Sequence, residues 1–335
     1  MKIDIGLHGD LADAPLAATS AEAAGYDGLF SVELAHDPFL PLVLAAQATS
    51  RIEIGTGIAV AFARNPMTVA VISHDLQRLS NGRFLLGLGS QIKPHITKRF
   101  SMPWSQPAAR MREFILAVRA IWHAWETGEA LAFRGAFYRH TLMTPMFRPG
   151  ENPHGPPPVL LAAVGPAMTT VAAEAADGLV AHAFTTAAYF REVTMPAIER
   201  GLAATNRRRE NFQTTMPMFV VTGRDERELA IRAAATRAQL AFYGSTPAYR
   251  PVLEHHGWGD LGDELHQLSR RGEWAQMGDA ITDDVLNAFA VVGEPNSVAP
   301  AIKERFGGLL DRVQLPSAGG EPATWQAVLD AVHAI

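Results

Sequence analysis

Side chains that could move protons or bind ligands follow several short apolar runs of this sequence. His8 comes after "KIDIGL", Glu33, His36 and Asp37 come after "YDGLFSV", and His182 comes after "GLVA". An imidazole titrates near neutral pH and a neighbouring carboxylate can orient it, so this set suits proton transfer. A metal site is the weaker interpretation, because the histidines lack a short ligand spacing such as HxH or HExxH.

Two glycine-containing segments could bind an anion through their backbones. "GLGSQI" (87–92) opens like the dinucleotide-binding GxGxxG, but Ile92 replaces the third glycine, which argues against a Rossmann nicotinamide site. Its N–H groups and the Ser90 hydroxyl could hold a phosphate, or the segment could be a tight turn. "AAVGPAM" (162–168) offers small residues and a helix start at Pro166, where the helix N-terminus favours an anion.

A third segment, "IEIGTGIAVAFARNP" (52–66), begins as a strand but carries Gly55 and Gly57 where a packed strand should have side chains. Glycine weakens a strand and is typical of a bulge, a strained backbone or the close approach of another group. The segment therefore predicts an irregular strand against which something packs closely.

Strand and helix patterns alternate along the chain, and this order predicts how the candidate groups are positioned. The predicted strands cover residues 2–8, 26–33, 52–66, 83–89, 159–165, 178–184, 212–223 and 311–316. Their continuous apolar character favours a parallel sheet with helical crossovers, and the count of eight favours a closed (β/α)8 TIM barrel. We predict an α/β fold with insertions after strands four and seven, in a single domain covering residues 1–335. The candidate groups lie at the carboxyl ends of strands, where such barrels carry their active sites.

Composition excludes several classes of protein. The 335 residues are 48% hydrophobic and 19% charged, which is enough to bury a large core. The net charge of -5 and the lack of a long basic run argue against nucleic-acid binding. The chain has no cysteine, which excludes disulfides and thiolate chemistry. No apolar run reaches the roughly 18 residues of a membrane span, and the first residues do not resemble a signal peptide, so we expect a cytoplasmic protein.

Several blocks together resemble the bacterial luciferase-like flavin and deazaflavin oxidoreductases. They are "LAHDPFLPL", "IGTGIAVAFARNPMTVA", "LSNGRFLLGLGSQIKPHITKRF", "VLLAAVGPAMTTVAAEAADGLV", "VVGEPNSVAPAIKERFG" and "DRVQLP". They occur in order over nearly the whole chain. The "HDPF" and "GSQIKPHITKRF" blocks are most similar to the branch that uses the deazaflavin coenzyme F420 rather than FMN.

This resemblance implies a coenzyme site and a backbone feature within it. It implies that the third strand bulges behind the coenzyme ring with a non-prolyl cis peptide bond between Gly57 and Ile58. His8 would face the pocket, and Ser90, Gln91 and the "AAVG" backbone would contact the polar tail. The implied coenzyme-binding residues are His8, His36, Asp37, Thr56, Gly57, Ile58, Gly89, Ser90, Gln91, Ala162, Ala163, Val164 and Gly165.

The resemblance also implies hydride transfer between C5 of the deazaflavin and a small organic substrate. His36 would be the acid–base residue, or would only hydrogen-bond the coenzyme. Asp37 would orient His36, form a hydrogen bond to the coenzyme ring, or act as the N-cap of the helix that we predict over residues 38–50. Arg83 lies at a strand start, the end of a barrel that serves stability, so we assign it a structural role.

Other interpretations remain open at the level of the sequence. Relatives that oxidise a sugar phosphate carry a glutamate where Ile92 stands here, which argues against that substrate. An FMN-dependent two-component monooxygenase and a non-catalytic coenzyme-binding protein are the alternatives. A homodimer is expected by analogy with the relatives, without a metal, a membrane or a nucleic acid.

Overall fold

The computed structural model describes residues 1–316 and 322–333, and it divides into two compact units. The strands are β1 (Lys2–Leu7), β2 (Gly28–Ser31), β3 (Glu53–Thr56), β4 (Ala59–Val60), β5 (Phe84–Gly89), β6 (Phe133–Arg134), β7 (Arg139–His140), β8 (Val159–Ala163), β9 (Gly178–Ala181), β10 (Gln213–Pro217), β11 (Phe219–Val221), β12 (Ala290–Val292) and β13 (Arg312–Leu315). The α-helices are α1 (Ala14–Ala24), α2 (Leu40–Ala48), α3 (Pro66–Leu79), α4 (Pro107–Thr127), α5 (Pro166–Ala175), α6 (Ala187–Tyr189), α7 (Met195–Ala204), α8 (Glu226–Gly244), α9 (Arg250–His255), α10 (Gly259–Arg271), α11 (Trp274–Asp279), α12 (Asp283–Phe289), α13 (Pro295–Phe306) and α14 (Pro322–His333).

The larger unit, residues 4–180 and 197–213, contains most of the sheet. Its strands lie in the order β1, β2, β3, β5, β8, β9, and the first five of them pair in parallel, each with its neighbour. Helices α1 to α5 pack against one another in sequence order. Strands such as β2 and β5 are buried on both faces, which explains why they are apolar throughout rather than alternating.

The smaller unit comprises residues 1–3, 181–196 and 214–335. Strands β10 and β13 pair in parallel, and β11 and β12 form a separate two-stranded parallel sheet. Its core is built around Phe184, Leu240, Leu265 and Phe289. The boundaries between the units fall inside strands β1, β9 and β10. The single domain that we predict over residues 1–335 therefore stays a prediction.

All eight predicted strands are present, and the two long segments follow the fourth and the seventh as expected. The third strand is divided into β3 and β4, and the seventh into β10 and β11. The β6–β7 hairpin and strand β12 were not predicted. Within residues 1–316 and 322–333, no helix combines the length and apolar character needed to cross a membrane.

Arg83 has the structural role expected from its position before β5. Its Nε donates to the carbonyl of Ser80, and its two terminal nitrogens donate to Ile52, Ala46 and both oxygens of Thr49, at 2.7 to 3.1 Å. Burial lowers the pKa of this guanidinium. The Arg83 side chain therefore connects the carboxyl ends of helices α2 and α3 to the start of β3 through hydrogen bonds.

Candidate active site

The third strand carries a bulge at the predicted place. Gly55 pairs with Leu85 and Ala59 with Leu88, so the three residues 56–58 face only two residues of β5. The peptide bond between Gly57 and Ile58 is cis, which confirms the expectation drawn from the resemblance. Gly57 and Ile58 are partly exposed, whereas the residues on either side of them are buried. The bulge thus presents a short piece of backbone and one apolar side chain at the strand end.

The glycines around the bulge make room for other parts of the protein. A Cβ on Gly55 would lie 2.6 Å from the ring of Phe30, and one on Gly87 would lie 1.8 Å from the carbonyl oxygen of Thr56. A Cβ on Gly89 would lie 2.7 Å from Ile58. The group that approaches the third strand so closely is therefore Phe30 of β2, and the glycines of β5 accommodate the bulge itself.

The ends of β1 and β2 form a pocket of about 210 Å³. Three predicted site residues, His8, His36 and Asp37, line it and are exposed there. The other lining residues are Leu7, Gly9, Asp10, Ala14, Ser31, Val32, Leu34, Ala35 and Pro41. The structure thus brings together two of the predicted imidazoles and one predicted carboxylate from neighbouring strand ends, whereas Glu33 and His182 do not line this pocket. The bulge residues and the glycine-containing ends of β5 and β8 do not line this pocket.

Arg64 joins this pocket to the third strand, and sequence reasoning did not identify it. Its Nη1 donates to Glu33 Oε2 at 2.6 Å, and its Nη2 donates to Asp37 Oδ2 at 2.9 Å. The same Glu33 oxygen accepts the N–H of Val60 at 2.7 Å. The Arg–Asn–Pro segment after the strand was the available signal, but its partners lie 27 to 31 residues away in sequence.

Asp37 has a different local role from the helix cap considered above. Helix α2 begins at Leu40 rather than at residue 38, and Phe39 is its N-cap residue. Asp37 Oδ1 accepts the N–H of Phe39 at 2.8 Å, which shapes the turn before the helix. In the part of the chain that the structure describes, Asp37 makes no hydrogen bond to His36, so orientation of His36 by this carboxylate is not observed. A bond from Asp37 to the coenzyme stays a prediction.

The predicted anion-binding ends of β5 and β8 are neighbours. Leu88 pairs with Leu161, and a Cβ placed on Gly89 would lie 3.6 Å from the Cβ of Ala162, so the two strands end side by side. Ser90 Oγ donates to the carbonyl of Gln91 at 3.1 Å. Gly165 is the N-cap residue of α5, and a Cβ placed on it would meet nothing within 4 Å. Open space therefore lies beside a ten-residue helix whose first N–H groups are suited to an anion.

His182 lies in the smaller unit and is held as a neutral imidazole. Its Nδ1 accepts the N–H of Phe184 at 3.0 Å, so its Nε2 carries the proton and faces the hydroxyl of Tyr249 at 3.1 Å. The Tyr249 ring also stacks on it. Burial lowers the pKa of His182 to about 4 and raises that of Tyr249 to about 12. No three His, Cys, Asp or Glu residues are grouped as metal ligands in the described ranges.

Acid should therefore destabilise the protein through His182. The unfolded chain takes up a proton near pH 6.5, whereas the folded protein does so only near pH 4. The contribution of neutral His182 is complete above about pH 6.5 and is lost as the pH falls towards 4, by up to about 3 kcal/mol. We expect His182→Asn, whose amide oxygen can accept from Phe184 but does not titrate, to flatten this part of the profile. Urea unfolding from pH 7.5 to 4 measures it, and an unchanged slope in the variant would contradict the assignment.

The chain belongs to the luciferase-like monooxygenase family, whose sequence pattern it matches over residues 4–312. It is 55% identical over 313 residues to an uncharacterized protein of Mycobacterium tuberculosis, Rv1360, covering 93% of this chain and 92% of that protein. It is 28% identical over 298 residues to a putative coenzyme F420-dependent oxidoreductase of the same organism, Rv3520c, covering 83% of each chain.

A solved structure confirms the predicted fold class. The coenzyme F420 dependent tetrahydromethanopterin reductase from Methanopyrus kandleri superimposes with a TM-score of 0.80 at 20% identity, over 98% of this chain and 97% of that one. The protein therefore has the luciferase-like (β/α)8 TIM-barrel fold. At this identity the likeness concerns the fold and does not extend to substrate.

Proposed function

We propose that the protein is a coenzyme F420-dependent oxidoreductase that transfers hydride between the deazaflavin C5 and a small organic substrate. The observation that carries this proposal is the bulge at residues 56–58, whose Gly57 and Ile58 are partly exposed beside the end of β2, the strand that leads to His36. Family membership and the F420-dependent relative support it. The bulge presents the Gly57–Ile58 backbone and one partly exposed apolar side chain, Ile58, which suits one face of a planar ring.

The residues present fit such a coenzyme. Ile58 and the Gly57 backbone would back the ring. The polar tail would reach the adjoining ends of β5 and β8, where Ser90, Gln91 and the backbone of residues 162–165 would hold it. The open space at Gly165 beside the first N–H groups of α5 provides donors for a phosphate without a side chain in the way.

The bound coenzyme would supply the hydride chemistry. This chain would bind and orient the coenzyme and would donate or accept one proton. His36 is our acid–base residue, because its imidazole is exposed in the pocket and has no hydrogen-bond partner in the described ranges. Asp37 is paired with Arg64, which holds its carboxylate in place beside that pocket. His8 contributes a second polar group from the end of β1.

A paired assay tests this function against its FMN alternative. Under anaerobic conditions we expect the purified protein to change the 420-nm absorbance of F420 in the presence of at least one member of a panel of alcohols, aldehydes, imines and enones. With reduced FMN and air, we expect no oxygen consumption above the rate without protein. Protein-dependent oxygen consumption would instead favour the FMN-dependent monooxygenase, and tight F420 binding without turnover on any compound would favour a non-catalytic coenzyme-binding protein.

Assembly as a homodimer is also part of the proposal. Leu16 on α1 and Leu40 on α2 are 71% and 56% exposed, and these helices pack side by side. Apolar side chains of this size on adjoining helices support burial against a second copy.

A further inference from the structure

We propose that Arg64 is a positioning residue, which fixes the loop of residues 32–37 to strand β4 and thereby sets His36 relative to the bulge. The inference rests on the proposed function, because its consequence is the placement of His36 against the coenzyme. Arg64 itself is not required to touch coenzyme or substrate.

The guanidinium holds both ends of the loop that carries His36. Nη1 contacts Glu33 at 2.6 Å at the start of the loop, and Nη2 contacts Asp37 at 2.9 Å at its end. The side chains of Arg64 and Glu33 are only 18% and 7% exposed, so solvent screens this pair weakly. Two carboxylates that share one cation would repel each other if the cation were removed.

The same contacts fasten the loop to the strand that continues from the bulge. Glu33 accepts the N–H of Val60 at 2.7 Å, while Arg64 Nη1 donates to the Val60 carbonyl at 3.2 Å. Val60 is two residues beyond Ile58, and β4 is paired with β5 at that point. The Arg64 guanidinium also lies over the ring of Phe39, 5.4 Å from its centroid, just beyond the loop.

His36 makes no hydrogen bond, ion pair or ring contact of its own in the described ranges, so its position follows that of the loop. The other cation at the loop, Arg99, donates to the carbonyl of Leu34 and neutralises neither carboxylate. Removal of the Arg64 guanidinium should therefore loosen the loop and displace His36, while the β-sheet that anchors β4 remains paired.

Amide hydrogen exchange tests the network without any activity. In Arg64→Gln we expect the Val60 and Phe39 amides, which donate to Glu33 and Asp37, to exchange about tenfold faster or more than in the wild type. Arg64→Lys should give an intermediate rate, because an ammonium cannot bridge both carboxylates as the planar guanidinium does. The matched control is Arg83→Gln, which also removes a partly buried guanidinium of this unit and should lower the Tm without changing exchange at Val60 relative to its neighbours.

Coenzyme titration and turnover then separate positioning from simple support. We expect Arg64→Gln to bind F420 within about threefold of the wild type, while kcat falls about 10- to 100-fold with little change in KM. Unchanged amide exchange at Val60 and Phe39 in Arg64→Gln would overturn this inference and leave the proposed function standing. Faster exchange with unchanged kcat would also overturn it, because Arg64 would then only support the loop. If the wild type does not bind F420, the proposed function fails, and this inference fails with it.

Discussion

Gly87→Ala is expected to prevent normal folding, although it adds only one methyl group. The new Cβ would lie 1.8 Å from the carbonyl oxygen of Thr56, in a buried strand where neither backbone can move away. Thr56 is additionally fixed by its hydroxyl, which donates to the Gly87 carbonyl at 2.6 Å. We expect a loss of at least about 3 kcal/mol in the free energy of unfolding, which is a large share of the stability of an ordinary domain. Urea unfolding and soluble yield measure this.

Gly165→Ala is the matched control. It is the same substitution at a strand-to-helix junction, but its Cβ meets nothing within 4 Å and the backbone φ of -103° suits any residue. This variant should unfold within about 1 kcal/mol of the wild type. If the Gly87→Ala protein were as stable as the Gly165→Ala protein, the carbonyl oxygen of Thr56 could not lie as close to Gly87 as the structure places it.

His36→Ala should abolish most turnover and leave coenzyme binding nearly intact. A positioned acid–base group contributes about 10² to 10⁴ in rate, whereas an exposed imidazole adds little to binding of a large coenzyme. We expect the dissociation constant for F420 to change by less than about threefold. Single-turnover absorbance at 420 nm, with the first substrate identified by the panel, measures the rate, and coenzyme fluorescence measures the affinity.

The control for this substitution is His123→Ala, which removes another exposed histidine, on α4, that pairs with Glu129 at 3.3 Å. It should match the wild type in rate and in affinity. Equal losses of rate and affinity in His36→Ala would make His36 a binding residue rather than the proton donor or acceptor, and an unchanged rate would remove it from the mechanism.

The elements that were predicted correctly have local signals in the sequence. Helices α1 and α4 end at Gly25 and Gly128, which have φ values of 94° and 80° and so need glycine. Helix α3 begins at Pro66 as predicted, with Asn65 accepting an N–H of its first turn. The small β11–β12 sheet was missed because it is formed by two strands of three residues about 70 positions apart, and the second directly follows helix α12.

The candidate site was predictable to the extent that strand ends converge in a parallel fold. From this rule we expected His8, His36 and Asp37 to lie close together, and all three line one pocket. The rule could not supply the role of Arg64, because its contacts depend on the conformation of a loop 27 to 31 residues earlier in the chain. It also could not explain Gly87, since the carbonyl that excludes a side chain there belongs to another strand, at a bulge.

A fluorescence titration with F420, run in parallel with FMN, tests whether the larger unit binds a deazaflavin as we propose. We predict saturable F420 binding at micromolar concentration or tighter, and FMN binding at least about tenfold weaker. A preference for FMN, or no binding of F420, would contradict the proposed F420 dependence. The bulge at Gly57–Ile58 and the "GSQIKPH" segment would then be features of the luciferase-like barrel in general rather than of a deazaflavin site.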